Sequence, residues 1–271
     1  KEGVIDFSAI KDNEDLEVAD YLPSDINDME KICTEDYSVN LVDMADNTED
    51  NKTVNDNPND AKAISLGTQV YDTVATELEQ RWYAFSVAKA TKFTAAMVMD
   101  DTADFDLYVY KLNETDGTLE LVGGSAIVGA GTQELSMLKL DEGIYFIGIE
   151  AATGNGSFLM YTYAGVNDGK EINDTTDLAS SYVRNSRMTA TIDSPFDYDY
   201  YKVVISKNDI LEYTFDQPTG CDYKVLVYDG KNYYTINNGT YRLNTGTYYF
   251  IVMASSMNYS DDKYYGIKFQ K

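Results

Sequence analysis

The sequence predicts an all-β chain: two tandem, jelly-roll-like β-sandwiches preceded by an acidic N-terminal segment. Three observations lead there. From about residue 55 onward, apolar and polar residues alternate with period two in short runs. Turn-forming residues separate those runs. The landmarks of residues 55–165 then recur over 173–271 at a constant spacing.

The alternating runs come first. Tyr83 to Val87, Thr94 to Met99, Leu107 to Tyr110 and Ile144 to Ile149 each place every second residue on one face, as a half-buried strand does. Between them lie Asp116-Gly117, Gly123-Gly124, Asp141-Glu142-Gly143 and Gly154-Asn155-Gly156, all read as turns. Strands this short and this regularly punctuated belong to a sandwich, not to a helical fold.

The repeat sets the domain plan. Asn55-Asp56 recurs as Asn173-Asp174, Ala61 as Ala179, Trp82-Tyr83 as Tyr200-Tyr201, Asp104 as Asp222, and Leu107 to Tyr110 as Val225 to Tyr228, always 118 positions later. Gly143 to Ile149 recurs as Gly246 to Val252, 103 positions later. The second copy is therefore shorter in a mid-domain connection, where deletion is tolerated. The expected plan is an acidic segment over 1–54, sandwiches over 55–165 and 173–271, and a linker over 166–172. In the last repeated strand, Tyr145, Ile147 and Ile149, like Tyr248, Phe250 and Val252, share a core face. Trp82 and Tyr201 stand beside alternating strands and are read as core anchors.

Residues 1–54 read differently. KDNEDLEVAD (residues 11–20) and DMADNTEDNKTVND (residues 43–56) are acidic and short of strand formers, as in a solvated leader or linker. A short helix over Asp25 to Cys33 is compatible with Ser24 or Asp25 as its cap. Cys33 and Cys221 would tie this segment to the second half of the chain if paired; otherwise they are two small hydrophobes.

Composition excludes several functions. The 271 residues include 46 acidic and 21 basic ones, a formal charge of −25. Such a surface repels phosphate backbones and anionic lipid, so nucleic-acid binding is not expected. Histidine is absent, which removes imidazole triads and His-ligated metals. Hydrophobic residues at 44% suffice for real cores. No stretch of roughly 18 apolar residues occurs, so no transmembrane segment is expected. A signal peptide, if there was one, is expected to have been removed.

The repeated pattern resembles the bacterial pre-peptidase C-terminal (PPC) domain. The likeness rests on Asn-Asp followed by Ala, D-x-D-x-Y before an alternating strand, D-x-x-(L/V)-x-V-Y, and G-(I/T)-Y-(F/Y)-(I/F), in that order and twice over residues 55–271. The resemblance implies a jelly-roll-like sandwich, a secreted or cell-surface setting, and use as a non-catalytic appendage. It also implies a calcium site in some members, built from acids ahead of the first strand and a D-x-D pair. In the second copy the matching residues are Glu171, Asn173, Asp174, Asp197 and Asp199. Oxygen donors of this kind suit calcium, which takes six to eight of them. In the first copy Thr53, Glu79 and Arg81 replace Glu171, Asp197 and Asp199, and a guanidinium repels a cation.

Three other constellations stand out. Asp104 and Asp106 are either a carboxylate pair of the glycosidase kind or a turn entering the Leu107 strand, and the turn is favoured. Gly123-Gly124 and Gly129-Ala130-Gly131 lack the GKS or GKT of a phosphate loop. Tyr198, Tyr233, Tyr234, Tyr249 and Tyr264-Tyr265 fall outside or opposite the core stripe and are candidate contacts for sugars or proteins. The function expected is that of a non-catalytic surface interaction module, its partner a protein or polysaccharide at the cell surface. The alternative is a carbohydrate-binding appendage acting through exposed tyrosines.

Overall fold

The computed structural model describes residues 10–12, 17–18, 37–38, 54–165 and 171–270. The expected helix at Asp25–Cys33, Cys33 itself, Thr53 and residues 166–170 of the linker lie outside these. Three short strands come from the acidic segment: β1 (Ile10–Asp12), β2 (Glu17–Val18) and β3 (Tyr37–Ser38). A 3₁₀ turn at Pro58–Asp60 leads into β4 (Lys62–Ala63), β5 (Gln69–Val74), β6 (Gln80–Val87), β7 (Thr91–Met99), β8 (Asp104–Leu112), β9 (Thr118–Ser125), β10 (Glu134–Leu140), β11 (Gly143–Thr153) and β12 (Gly156–Gly165). Then follow β13 (Ser180–Ser181), β14 (Arg187–Ile192), β15 (Tyr198–Ile205), β16 (Asp209–Asp216), β17 (Tyr223–Tyr228), β18 (Tyr233–Thr235), β19 (Gly239–Leu243), β20 (Gly246–Ala254) and β21 (Ser260–Gln270).

The chain divides into two compact units, Ser24–Asn167 and Lys1–Pro23 with Asp168–Lys271. The first holds a four-stranded sheet, β10-β7-β12-β5, and a six-stranded one, β3-β9-β8-β11-β6-β4. The second holds β1-β19-β16-β21-β14 and β13-β15-β20-β17-β18-β2. Setting aside β1 to β3, the two orders are the same with each label advanced by nine. Register agrees as well: Tyr83 faces Ile147 and Tyr201 faces Phe250. The three strands of the acidic segment pair at sheet edges, β1 on β19, β2 on β18 and β3 on β9. At these points the segment is not a solvated leader: an edge strand offers unpaired N–H and C=O groups that an extended chain can satisfy.

Alternation builds each core. In the first unit Tyr83, Phe85, Val87, Leu107, Val109, Tyr145, Ile147 and Ile149 turn inward, and Phe85 stacks on Phe93 at 4.9 Å between ring centroids. In the second, Tyr201, Val203, Ile205, Tyr248, Phe250 and Val252 do so, with Phe250 4.1 Å from Phe269. Each such side chain contributes roughly 1.5–3 kcal/mol by burial. Cys221 packs half-buried against the second core with a free thiol.

Trp82 is buried, but not in the sandwich interior. It lies on the opposite face of β6 from Tyr83, in an outer cluster with Tyr108, Tyr110 and Phe146. Its ring sits against Gly148, where a Cβ would come within 3.1 Å. The sequence expectation also fails at Gly123-Gly124, which lies inside β9 and not in a turn. There β8 and β9 slip register between Val109 and Tyr110, and glycine marks the close approach that such a bulge demands. A Cβ on Gly124 would meet the Leu107 carbonyl oxygen at 2.4 Å. Gly124→Ala is expected to cost the first unit about 1–3 kcal/mol in urea unfolding. Unchanged stability would show that β8 and β9 do not pack this closely.

Candidate cation site

The acids singled out in the second copy meet at the start of β15. Segment 171–174 runs beside that strand: Tyr200 N–H donates to the Asn173 carbonyl at 2.9 Å, and Tyr198 N–H donates to Asp174 Oδ1 at 3.2 Å. Alternation puts Asp199 on the same face as Tyr201, at the end of the core. Carboxylate oxygens of Glu171, Asp197 and Asp199 all lie within 4.8 Å of one another, and both aspartates are fully buried. Asp197 Oδ2 accepts from Asp193 N–H at 2.7 Å. Asp199 Oδ2 accepts from the Tyr265 hydroxyl at 2.5 Å, and Tyr201 in turn bonds Tyr265 at 2.6 Å. Burial, with the Asp199 charge next, pushes both phenols well above their ordinary pKa.

Three carboxylates this close stay ionised together only beside a positive charge. The donors are all oxygen, which is the chemistry of a hard divalent cation. Asn173 adds an independent sign. It is 1% exposed, and neither atom of its side-chain amide has a hydrogen-bond partner. Its counterpart Asn55 donates from Nδ2 to the Trp82 carbonyl at 2.8 Å. Glu171, Asp197 and Asp199 are the groups that would hold an ion. Asp174 Oδ1 is committed to the β15 backbone.

The first unit fills the equivalent place with its own cation. Arg81, at the position of Asp199, is 7% exposed and pairs Nη1 to Glu79 Oε1 at 2.7 Å. Its Nε lies 3.8 Å from Asp72 Oδ1. Asp72 also takes Lys62 Nζ at 3.1 Å and the Tyr83 hydroxyl at 2.7 Å. Burial alone would raise both carboxyls. Tyr83, Thr73 and Lys62 nevertheless hold Asp72 below the usual carboxylate range, and Arg81, Ala75 and Thr76 do the same for Glu79. Asp72 and Lys62 complete a charge-balanced group that motif reading did not find, because both are far from Arg81 in the chain.

The tyrosines do not form one patch. Tyr198 is 1% exposed and Tyr265 fully buried, against the expectation for both; backbone bonds and the acid cluster draw them inward. Tyr264 is exposed, on β21 in the other sheet. Tyr233, Tyr234 and Tyr249 are half-buried. Tyr233 stacks on Tyr228 at 4.4 Å, and Tyr249 lies 6.2 Å from Tyr228 with Lys202 Nζ 6.0 Å above its ring. The Tyr234 hydroxyl donates to Asp229 Oδ2 at 3.1 Å.

No protein-family model and no curated protein matches the chain. Among solved structures it is similar to the pre-peptidase C-terminal domain of a collagenase from Bacillus anthracis, with 16% identity and a TM-score of 0.33 over 38% of this chain and 93% of that one. It is also similar to the CUB1-EGF-CUB2 domains of human MASP-1/3, with 7% identity and a TM-score of 0.26 over 74% of this chain and 98% of that one. For the rat MASP-1 domains the values are 8% and 0.27, over 77% and 99%. Among the described residues no helix is long and apolar enough to cross a membrane.

Asp104 and Asp106 lie within β8, not in a turn before it. They are 7% and 4% exposed, so they line no open cleft. Asp104 Oδ2 accepts from Gly129 N–H at 3.1 Å, and Asp106 Oδ2 accepts from the Tyr108 hydroxyl at 2.8 Å. Near them is a third acid that the sequence did not single out. Glu134 on β10 is fully buried and accepts from Ile127 N–H at 3.1 Å. Burial pushes its pKa up to about 7, helped by the charges of Asp106 and Asp104 and opposed by bonds from Ser125 and Ile127. A raised pKa favours folding while the group is protonated. The contribution is complete below about pH 4.5 and is lost as pH rises through about 7. The first unit is therefore expected to be less stable at pH 8 than at pH 5, by on the order of 1–3 kcal/mol from this group. Chemical denaturation of Glu134→Gln at both pH values should show that difference removed; an unaltered pH slope would refute the assignment.

Proposed function

We propose that the chain is a non-catalytic, exported bacterial surface module made of two tandem PPC-like sandwiches, 55–165 and 173–271, the second of which is calcium-dependent. The observation that carries this reading is the cluster of half-buried Glu171 with buried Asp197 and Asp199; two residues on from Glu171, the Asn173 amide is buried and unpartnered. The same strand position in the first unit is occupied by the Arg81–Glu79 pair. One sandwich supplies its positive charge covalently; the other takes it from solution. A bound ion would fix segment 171–174 against β15, stiffening the entry to the second sandwich. The module's partner is a protein or polysaccharide at the cell surface. The aromatic strip is the weaker basis for a sugar site, since Tyr228 and Tyr233 already occupy each other's ring faces.

The test is thermal unfolding of the full chain after chelation and again with calcium. Saturating calcium is expected to raise one transition by about 4 °C or more. The double variant Asp197→Asn, Asp199→Asn should fold without calcium and show no shift. Absence of any calcium-dependent shift in the parent overturns the reading.

A further inference from the structure

The offset between the copies drops from 118 to 103 between β17 and β20, and the loss falls on one edge of the second sandwich. In the first unit the strands of that edge are β9, of eight residues, and β10, of seven. Their counterparts β18 and β19 have three and five. β19 pairs with β16 only as far as Gly239, opposite Tyr213. Beyond it the Asn238 side chain stands in for a strand residue: its Oδ1 accepts from Phe215 N–H at 2.7 Å and its Nδ2 donates to the Phe215 carbonyl at 3.0 Å.

The N-terminal segment builds onto this trimmed edge. β1 lies parallel to β19, with Ile10 opposite Thr240 and Asp12 opposite Arg242. β2 lies antiparallel to β18, with Glu17 opposite Thr235 and Val18 opposite Tyr234. Each is the outermost strand of its sheet. Residues 10–18 thus add a strand to both sheets of one sandwich. In the first unit, among the described residues, only β9 is extended in this way, by β3, and β10 ends its sheet. Strand addition works through main-chain hydrogen bonds, so the acceptor is the edge, whichever chain supplies the strand. The strap is remote in sequence from that acceptor, and residues 19–36 connect it to β3, which pairs in the first unit. Docking from the same chain and docking from a second copy therefore make the same backbone pairs and differ only in the connection.

We infer that the β18 and β19 edges form a strand-acceptor site, and that residues 10–18 of a second copy fill it in a strand-exchanged dimer. The pairs gained in exchange equal those given up, so concentration sets the balance. Docking within one chain prevails in dilute solution. Exchange prevails as the protein approaches the roughly millimolar effective concentration of a tethered segment. The charge of −25 on each copy opposes their approach, so salt favours exchange. The inference does not depend on the calcium reading.

The experiment is disulfide trapping in the full chain carrying Cys33→Ser and Cys221→Ala, with calcium present and about 0.5 M salt. Glu17→Cys and Thr235→Cys in one chain should close an internal bridge in dilute solution, since residues directly opposite on antiparallel strands come within reach of each other. Separate Glu17→Cys and Thr235→Cys chains, mixed near about 1 mM and then oxidised, should form a linked heterodimer. Ser181→Cys, exposed on β13 at the far edge of the same sheet, measures chance collision and should trap about tenfold less. An excess of a synthetic peptide of residues 8–20 should suppress the heterodimer. A missing internal bridge in the double-cysteine chain overturns the register and the proposal with it. So does an equal heterodimer yield from Thr235→Cys and Ser181→Cys, or a yield that the peptide leaves unchanged.

Discussion

Burying a carboxylate costs this chain stability unless its charge is answered or hydrogen-bonded, and that constraint runs through both units. With 46 acids against 21 bases, not every acid can find a lysine or arginine. The cost of leaving a buried charge unanswered is several kcal/mol, enough to unfold a domain of ordinary stability. Two answers are visible. Asp72 and Glu79 are met by Arg81 and Lys62. Glu134 is met by a proton, because burial and the nearby Asp104 and Asp106 make protonation easy near neutrality. For Glu171, Asp197 and Asp199, whose carboxylate oxygens lie within 4.8 Å of one another, the function proposed above supplies a cation from solution. The same strand position thus carries an arginine in one unit and an aspartate in the other.

The all-β architecture was legible because period-two alternation is enforced by the sheet itself. Tyr145, Ile147 and Ile149 must share a face once the strand forms, and they do. The ends of β6, β8 and β11 were less legible: β8 begins at Asp104, three residues before the alternating apolar run, because Asp104 and Asp106 are buried polar residues that a hydrophobic pattern cannot flag. Gly123-Gly124 misled for a related reason. A glycine pair has the same composition in a turn and in a bulge, and only the approach of Leu107 distinguishes them.

The acids of the second copy could be named from the resemblance to the PPC pattern, which implies acids ahead of the first strand and a D-x-D pair before the alternating one. Their convergence with Glu171 could not be seen until segment 171–174 was placed beside β15. Tyr198 shows the limit of the face argument. It lies on the opposite face from Asp199, yet it is buried, so the outer face of a strand is not thereby a solvent face. Trp82, Tyr108 and Phe146 make the same point in the first unit. Counting alternation identifies which residues share a face; it does not say what covers that face.

Why two units with one strand order should carry different chemistry follows from where the chemistry sits. The inward residues of β6, β8 and β11, and of β15, β17 and β20, are held by packing on several sides, and a change there disturbs the whole sandwich. Arg81 and Asp199 sit near a strand start, and Asn237 and Asn238 in a connection, where backbone geometry tolerates many side chains. Exchanging an arginine for an aspartate there alters the local charge while the register of Tyr201 on Phe250 is untouched. Shortening β19 alters access to the core edge while Asn238 repairs the two backbone bonds that the missing residues would have made. The two sandwiches are thus alike where they pack and differ at strand ends and connections. A difference between the units at a strand end is accordingly better evidence of a site than a difference within a sheet.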